Sequence, residues 1–213
     1  RKGKALKEPE KWAGFKELMA EYKIPDWYVK SCEKIKYMFP KAHAAAYVTN
    51  AFRIAWFKVH IPLAYYAAYF TIRASAFDAE FMINGGDVVK AKMKEITGLG
   101  NDATPKDKDM YTDLELVNEM YERGFTFLPM DLYKSHSTKF LVEDGQIRPP
   151  LNSIPGLGTV AADGIVKARE ECKFMSIDDL KIRSKVGNSV TDLLKKYGCL
   201  EGMSQSNQMS LFG

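Results

Sequence analysis

Apolar positions recur along this chain at helical spacing for most of its length. Trp12, Phe15, Leu18, Met19 and Tyr22 step by about three or four, which predicts an amphipathic helix over Glu10 to Tyr22. Pro25 disfavours helix at Ile24, and Asp26 is placed to cap a second helix through Trp27, Val29, Cys32, Ile35 and Met38. Pro40 ends that helix and opens an Ala-rich one that runs to about His60, with Ile54, Phe57 and Ile61 on its later apolar face. Pro62 interrupts it, and a further helix follows to about Ala76. Phe77 to Thr97 predict one or two more helices, punctuated by Asn84-Gly85-Gly86 and ended by Gly98-Leu99-Gly100. Residues 101–110 are polar and contain Pro105, so they read as a loop before a helix from Met110 to Glu122.

Beyond Gly124 the period changes. Phe125-Thr126-Phe127-Leu128 alternates weakly, as a short strand would. Lys139 to Val142 and Gln146 to Arg148 flank Asp144-Gly145, which predicts a β-hairpin closed by Pro149-Pro150. Residues 151–200 return to helical spacing. Ser176 is placed to cap a helix carrying Ile177, Leu180 and Ile182, and another follows Asn188 and ends at Tyr197-Gly198. Periodicity then lapses, and 201–213 read as a flexible tail that turns apolar at its end. The fold class is therefore mainly α, with one short β-hairpin.

Composition narrows the picture. With 213 residues, 46% hydrophobic and 27% charged, the chain suits one or two globular domains with a real core. No apolar run is long enough to span a bilayer: Ile54 to Phe70, the richest, is interrupted by Lys58, His60 and Pro62. The three scattered cysteines form no metal-ligand cluster and fit a reducing cytosol. A first residue of Arg points to a piece of a longer chain. The net charge of +4 is uneven: residues 1–77 carry +8, 78–150 carry −5, and 151–213 carry +1. A basic, aromatic-rich opening segment suits a polyanion, or simply a solvated surface.

Three stretches stand out as chemistry. Lys41, His43 and Tyr47 head the Ala-rich helix; a helix start bearing a Lys and a His suits an anion, although such residues also serve as surface or packing groups. Ile154-Pro155-Gly156-Leu157-Gly158, followed by Thr159 and an apolar helix with Ala161, Ile165 and Arg169, has the pattern of a helix-hairpin-helix. Its glycines leave backbone N–H groups uncovered, so these and the helix N-terminus can grip a phosphate without reading a base, with Lys167 and Arg169 adding charge. The alternative is an ordinary turn between packed helices. The tail Gln208-Met209-Ser210-Leu211-Phe212 offers a polar anchor and two large apolar side chains, which suit a partner's pocket or the chain's own surface. No nucleophile–base pair or His/Cys metal cluster is evident. Asp178-Asp179 reads as first-turn helix charge, and Asp107 and Asp109 as loop charge.

These segments together resemble the C-terminal portion of the bacterial C-family replicative polymerases of the PolC type, the DNA polymerase III alpha subunit. The resemblance rests on Ile35-Lys36-Tyr37-Met38-Phe39-Pro40-Lys41-Ala42-His43-Ala44-Ala45-Ala46-Tyr47-Val48, on Phe57-Lys58-Val59-His60 with Pro62, on Ile154-Pro155-Gly156-Leu157-Gly158, on Tyr197-Gly198-Cys199-Leu200-Glu201, and on the terminal Gln-Met-Ser-Leu-Phe. It covers essentially the whole chain.

The resemblance implies a fingers segment over residues 1–100, a connector with the β-hairpin over 101–150, a helix-hairpin-helix duplex-binding unit over 151–200, and a clamp-binding tail over 201–213. Lys41 and His43 would face the incoming dNTP and Tyr47 its base, with Arg53 and Lys58 in support. Pro155, Gly156, Leu157, Gly158, Thr159, Lys167 and Arg169 would meet primer–template DNA. Gln208, Met209, Leu211 and Phe212 would dock on the beta sliding clamp, among other replisome subunits in the bacterial cytoplasm. The Mg²⁺-binding palm carboxylates would lie outside this chain, which alone would bind without catalysing. The second hairpin, around Lys185-Val186-Gly187, is degraded relative to the first. The rival reading is a stand-alone, non-enzymatic helix-hairpin-helix DNA-binding module.

Overall fold

The computed structural model describes residues 7–34 and 40–206. It forms two compact units, Arg1–Ala55 and Trp56–Gly213. In the first, α1 (Pro9–Glu21) and α2 (Asp26–Lys34) are joined through Glu33, which accepts a hydrogen bond from Trp12 Nε1 at 3.0 Å and pairs with Lys16 at 2.5 Å. Asp26 lies inside the first turn of α2, one position later than the capping role expected of it, because the turn closes on the Pro25 carbonyl. The Ile35 and Met38 positions lie outside the described residues. α3 (Lys41–His60) is one continuous helix, and the boundary between the units falls within it.

In the second unit, α4 (Pro62–Ile72) starts at Pro62 as its fixed φ favours. It ends at Ile72, short of the expected Ala76. The reason is tertiary: the Ala76 N–H leaves the helix to donate to the Asp113 carboxylate at 3.1 Å. Asp78 then caps α5 (Ala79–Met82) by accepting from the Glu80 N–H. Gly85, at φ 101°, makes the turn into α6 (Gly86–Leu99), so the region from Phe77 holds two helices. The expected loop over 101–110 is mostly helix: α7 (Pro105–Glu122) begins five residues before Met110. Thr104 and Asp107 form a reciprocal capping box around Pro105, so a Pro in this position starts a helix and Asp107 is a cap.

β1 (Leu141–Glu143) and β2 (Gln146–Arg148) pair antiparallel about Asp144-Gly145, with Val142 opposite Ile147. The expected strand at Phe125–Leu128 is reduced to a parallel bridge between Phe127 and Ile147. Here Ile147 donates to the Thr126 carbonyl and accepts from the Leu128 N–H. α8 (Thr159–Glu171), α9 (Ile177–Ser184) and α10 (Asn188–Lys196) complete the described chain, and Ser176 caps α9 as its position predicts.

Two buried clusters hold this unit together. In one, the rings of Phe70, Phe77, Phe127 and Phe140 meet tilted or edge-on, with centroids 4.8–6.4 Å apart, beside Leu114, Val117 and Met120. In the other, Leu151, Ile154 and Leu157 meet Ala162, Ile165, Leu180 and Leu194. Phe127 reaches the first and Met130 and Leu132 the second, so this short segment spans both.

Burial and the nearby Asp109 charge push the Asp113 carboxyl up to about 6, although the Ala76 amide opposes them. The acid is thus harder to ionise folded than unfolded. Its contribution to stability is full below about pH 4 and fades as pH rises through about 6. Asp113→Asn keeps a carbonyl for Ala76 and removes the charge. The variant is expected to be more stable than the parent above pH 7 by about 1–2 kcal/mol, with the difference gone at pH 4. Paired thermal melts across pH would refute this if the two curves run parallel.

Candidate nucleic-acid interface

The hairpin before α8 is built by its sequence. The Leu157 N–H donates to the Ile154 carbonyl at 3.0 Å, with Pro155 and Gly156 at the centre of the turn. Pro supplies the first central φ, and Gly156, at φ 88°, supplies the second, as a type II turn requires. A Cβ at Gly156 would also sit 3.3 Å from Leu193 Cδ1. Leu157 is buried and anchors the turn, while Gly158 and Thr159 are exposed. Gly158 is the N-cap of α8, and no side chain caps that helix start. Its first amides therefore point outward with a partial positive charge. Val160 beside them is 88% exposed.

Ser184-Lys185-Val186-Gly187 shares three features with Pro155-Gly156-Leu157-Gly158: Lys185 takes φ 56°, Val186 is buried, and Gly187 is the uncapped N-cap of α10. The second hairpin is degraded in sequence, with an exposed lysine where the first has glycine, and its closure differs, since the Val186 N–H donates back to the Lys181 carbonyl at the end of α9. Lys185 adopts a left-handed conformation, which sequence rarely signals for lysine.

The two hairpins are fastened together. Arg183 on α9 donates to the last carbonyls around α8, those of Ala168, Cys172 and Lys173, and its guanidinium lies 4.9 Å from the Phe174 ring centre. It also pairs with Asp179 at 3.5 Å and Glu171 at 3.7 Å. Gly164 of α8 lies so near α9 that a Cβ there would be 2.7 Å from the Ser184 carbonyl oxygen.

The cations named from sequence divide. Lys167 is exposed on α8. Arg169 turns inward and donates to the Leu132 carbonyl, and burial lowers its pKa. Lys41, His43 and Arg53 are exposed along α3, whose first turn carries no acid. The His43 and Tyr47 rings pack at 4.4 Å, as their spacing of four predicts, and Tyr47 stays 67% exposed. Lys58 lies in the second unit, paired with Glu119 at 2.5 Å. Glu119 also accepts from Tyr66 Oη at 3.2 Å, and Arg123 donates to that Oη and to the Lys58 carbonyl. The structure thus joins His43 to Tyr47 and Lys58 to Glu119. Gln208, Met209, Leu211 and Phe212 lie outside the described residues. Among the described residues no group of three or more His, Cys, Asp or Glu side chains could hold a metal ion, and no helix is long and apolar enough to cross a membrane.

The family model for the helix-hairpin-helix motif matches residues 124–210, which take in both hairpins. Over its whole length the chain is 54% identical to the DNA polymerase III PolC-type of Oceanobacillus iheyensis, 55% to that of Halalkalibacterium halodurans, and 54% to that of Bacillus subtilis. It spans about 14% of the length of each of these relatives.

Proposed function

The chain is one portion of a PolC-type DNA polymerase III, and from that membership we propose that it works as the fingers, duplex grip and clamp tail of a DNA-directed DNA polymerase. The observation that carries the reading is the likeness to PolC-type polymerases along all of the chain, with the uncapped hairpin amides in the stretch matched as helix-hairpin-helix.

In this reading the two hairpins hold the duplex by its backbone. Amides at the α8 start donate to phosphate oxygens, and Lys167 adds a charge that displaces a counterion. Such contacts fix register and are blind to sequence, as a replicative enzyme needs. The exposed start of α3 presents Lys41 and His43 to the triphosphate of the incoming nucleotide, with Tyr47 beside the base and Arg53 further along. Holding that anion in line supplies proximity and stabilises developing charge. Lys58 contributes by fixing α3 to α7 through Glu119. Gln208, Met209, Leu211 and Phe212 dock on the sliding clamp, within a cytoplasmic replisome. By the same family reading, the Mg²⁺-binding carboxylates belong to the part of the polymerase that this chain does not span, and the segment alone binds without catalysing.

Lys41→Ala and His43→Ala in the full-length polymerase are expected to lower kcat/KM for dNTP about tenfold each. The loss should fall on nucleotide KM or kcat while primer–template affinity holds. Steady-state kinetics at saturating DNA decide it: unchanged constants for both variants would remove the nucleotide role from α3 and leave a helix-hairpin-helix DNA-binding module.

A further inference from the structure

A second feature of the same unit adjoins the first hairpin. A cleft of about 310 Å³ opens between the end of α4, the segment around Thr138 and the short 3₁₀ turn at Leu151–Ser153. Ser75, Thr138 and Asn152 line it as neutral polar groups, Ile72 forms an apolar wall, and Phe77 and Phe140 lie beneath. No acidic residue lines it. Two of its lining segments carry exposed cations, Arg73 between Ile72 and Ala74, and Lys139 between Thr138 and Phe140. Neither of these side chains has a hydrogen bond or ion pair among the described residues.

The cleft is continuous with the hairpin through one residue. Asn152 lines the cleft, and its Nδ2 donates to Thr159 Oγ1 at 3.5 Å, at the first residue of α8. Accepting from Asn152 leaves the Thr159 hydroxyl able to donate to a further acceptor. Ile72 is 77% exposed at the other side of the cleft.

We propose that this cleft receives the sugar–phosphate backbone of the DNA strand gripped by the first hairpin; the proposal rests on the duplex-binding reading given above. Hydroxyl and amide donors suit phosphate oxygens, and such neutral groups are common partners of the DNA backbone. Ile72 meets the apolar face of a deoxyribose. Arg73 and Lys139, carried on the lining segments, supply the charge. Asn152 is a positioning residue, orienting Thr159 between the two sites.

The test is duplex binding by the full-length protein, titrated with a labelled primer–template across a series of salt concentrations. Ser75→Ala combined with Thr138→Val removes two neutral donors and is expected to weaken binding about fivefold at every salt, with the slope of log Kd against log salt unchanged, since no counterion is released by a neutral group. Arg73→Ala or Lys139→Ala is expected to reduce that slope by about 0.9. Lys167→Ala, on the hairpin itself, is the reference for the underlying reading and should reduce the slope likewise. If Lys167→Ala weakens binding while the double variant and the Arg73 and Lys139 variants match the parent, the cleft proposal is overturned and the hairpin stands. If Lys167→Ala is also without effect, both fall.

Discussion

Replacing Gly164 with valine is expected to destabilise the second unit by about 3 kcal/mol, which lowers Tm by about 6–12 °C for a chain of this size. The position lies within α8, where glycine ordinarily costs helix stability relative to alanine. Propensity alone therefore predicts a gain on substitution. Geometry predicts the opposite, because the added Cβ would stand 2.7 Å from a backbone oxygen, that of Ser184. A backbone atom at the end of α9 has no rotamer to change, so the helices must separate. Ser184 immediately precedes Lys185, so the displacement reaches the second hairpin directly. Alanine tests the balance most sharply. Gly164→Ala sets about 1 kcal/mol of helix propensity against a larger steric cost, and a net Tm loss is expected. Calorimetry showing that Gly164→Ala is neutral or stabilising would mean that α8 and α9 do not approach this closely.

Removing the Arg148 side chain should be comparably harmful. Only 5% exposed, its guanidinium is engaged on every edge: Nε and Nη2 bind the Glu143 carboxylate at 2.5 and 3.0 Å, and Nη1 donates to the Pro129 carbonyl at 2.6 Å. The first two contacts close the β-hairpin, and the third ties it to the segment that spans the two cores. Arg148→Ala would leave a carboxylate with Lys134 as its one remaining cation, a carbonyl without its donor, and a void. Losing three hydrogen bonds and the packing of a nearly buried side chain is expected to lower Tm clearly, which denaturant and thermal melts of the variant measure. Arg148→Lys should recover little, since an ammonium cannot serve both ends of the carboxylate and the carbonyl together.

The same pair sets an acid limit. Hydrogen bonds from Arg148 and Lys134 hold the Glu143 carboxyl down at about 2, well below its ordinary 4.5. Its stabilising contribution is complete above about pH 4.5 and is lost as pH falls through about 2. Glu143→Gln should be less stable than the parent at neutral pH and should converge with it in strong acid. Denaturant melts between those limits would contradict the assignment if the gap stays constant.

Sequence reading recovered what local chemistry decides. Pro62 opens α4, Asp144-Gly145 turns the hairpin, and Ser176 caps α9, because in each case the deciding partner lies within a few residues. The start of α7 is equally local, yet Pro105 taken alone reads as a breaker and signals a helix start only with the Thr104–Asp107 box around it. The end of α4 was beyond local reading, since Asp113, which draws off the Ala76 amide, lies 37 residues away. The same limit governs the cations. Nothing near Lys58 announces Glu119, 61 residues on, and nothing near Arg169 announces the Leu132 carbonyl. A basic residue on a promising helix is legible as a charge; whether a distant acid or carbonyl has claimed it is a property of the folded chain. The hairpin glycines escape this limit, because positive φ and uncapped amides belong to the backbone itself.

Arg183 has a consequence for how this part of the molecule opens. By bonding to the carbonyls that end α8, it makes fraying of that helix and release of α9 a single event. Amide protons in the last turn of α8 should therefore exchange with solvent at the same slow rate as those of α9, as one cooperative block. Under the duplex-binding reading proposed above, a load on either hairpin would reach both, and the pair would release a strand all at once instead of one contact at a time.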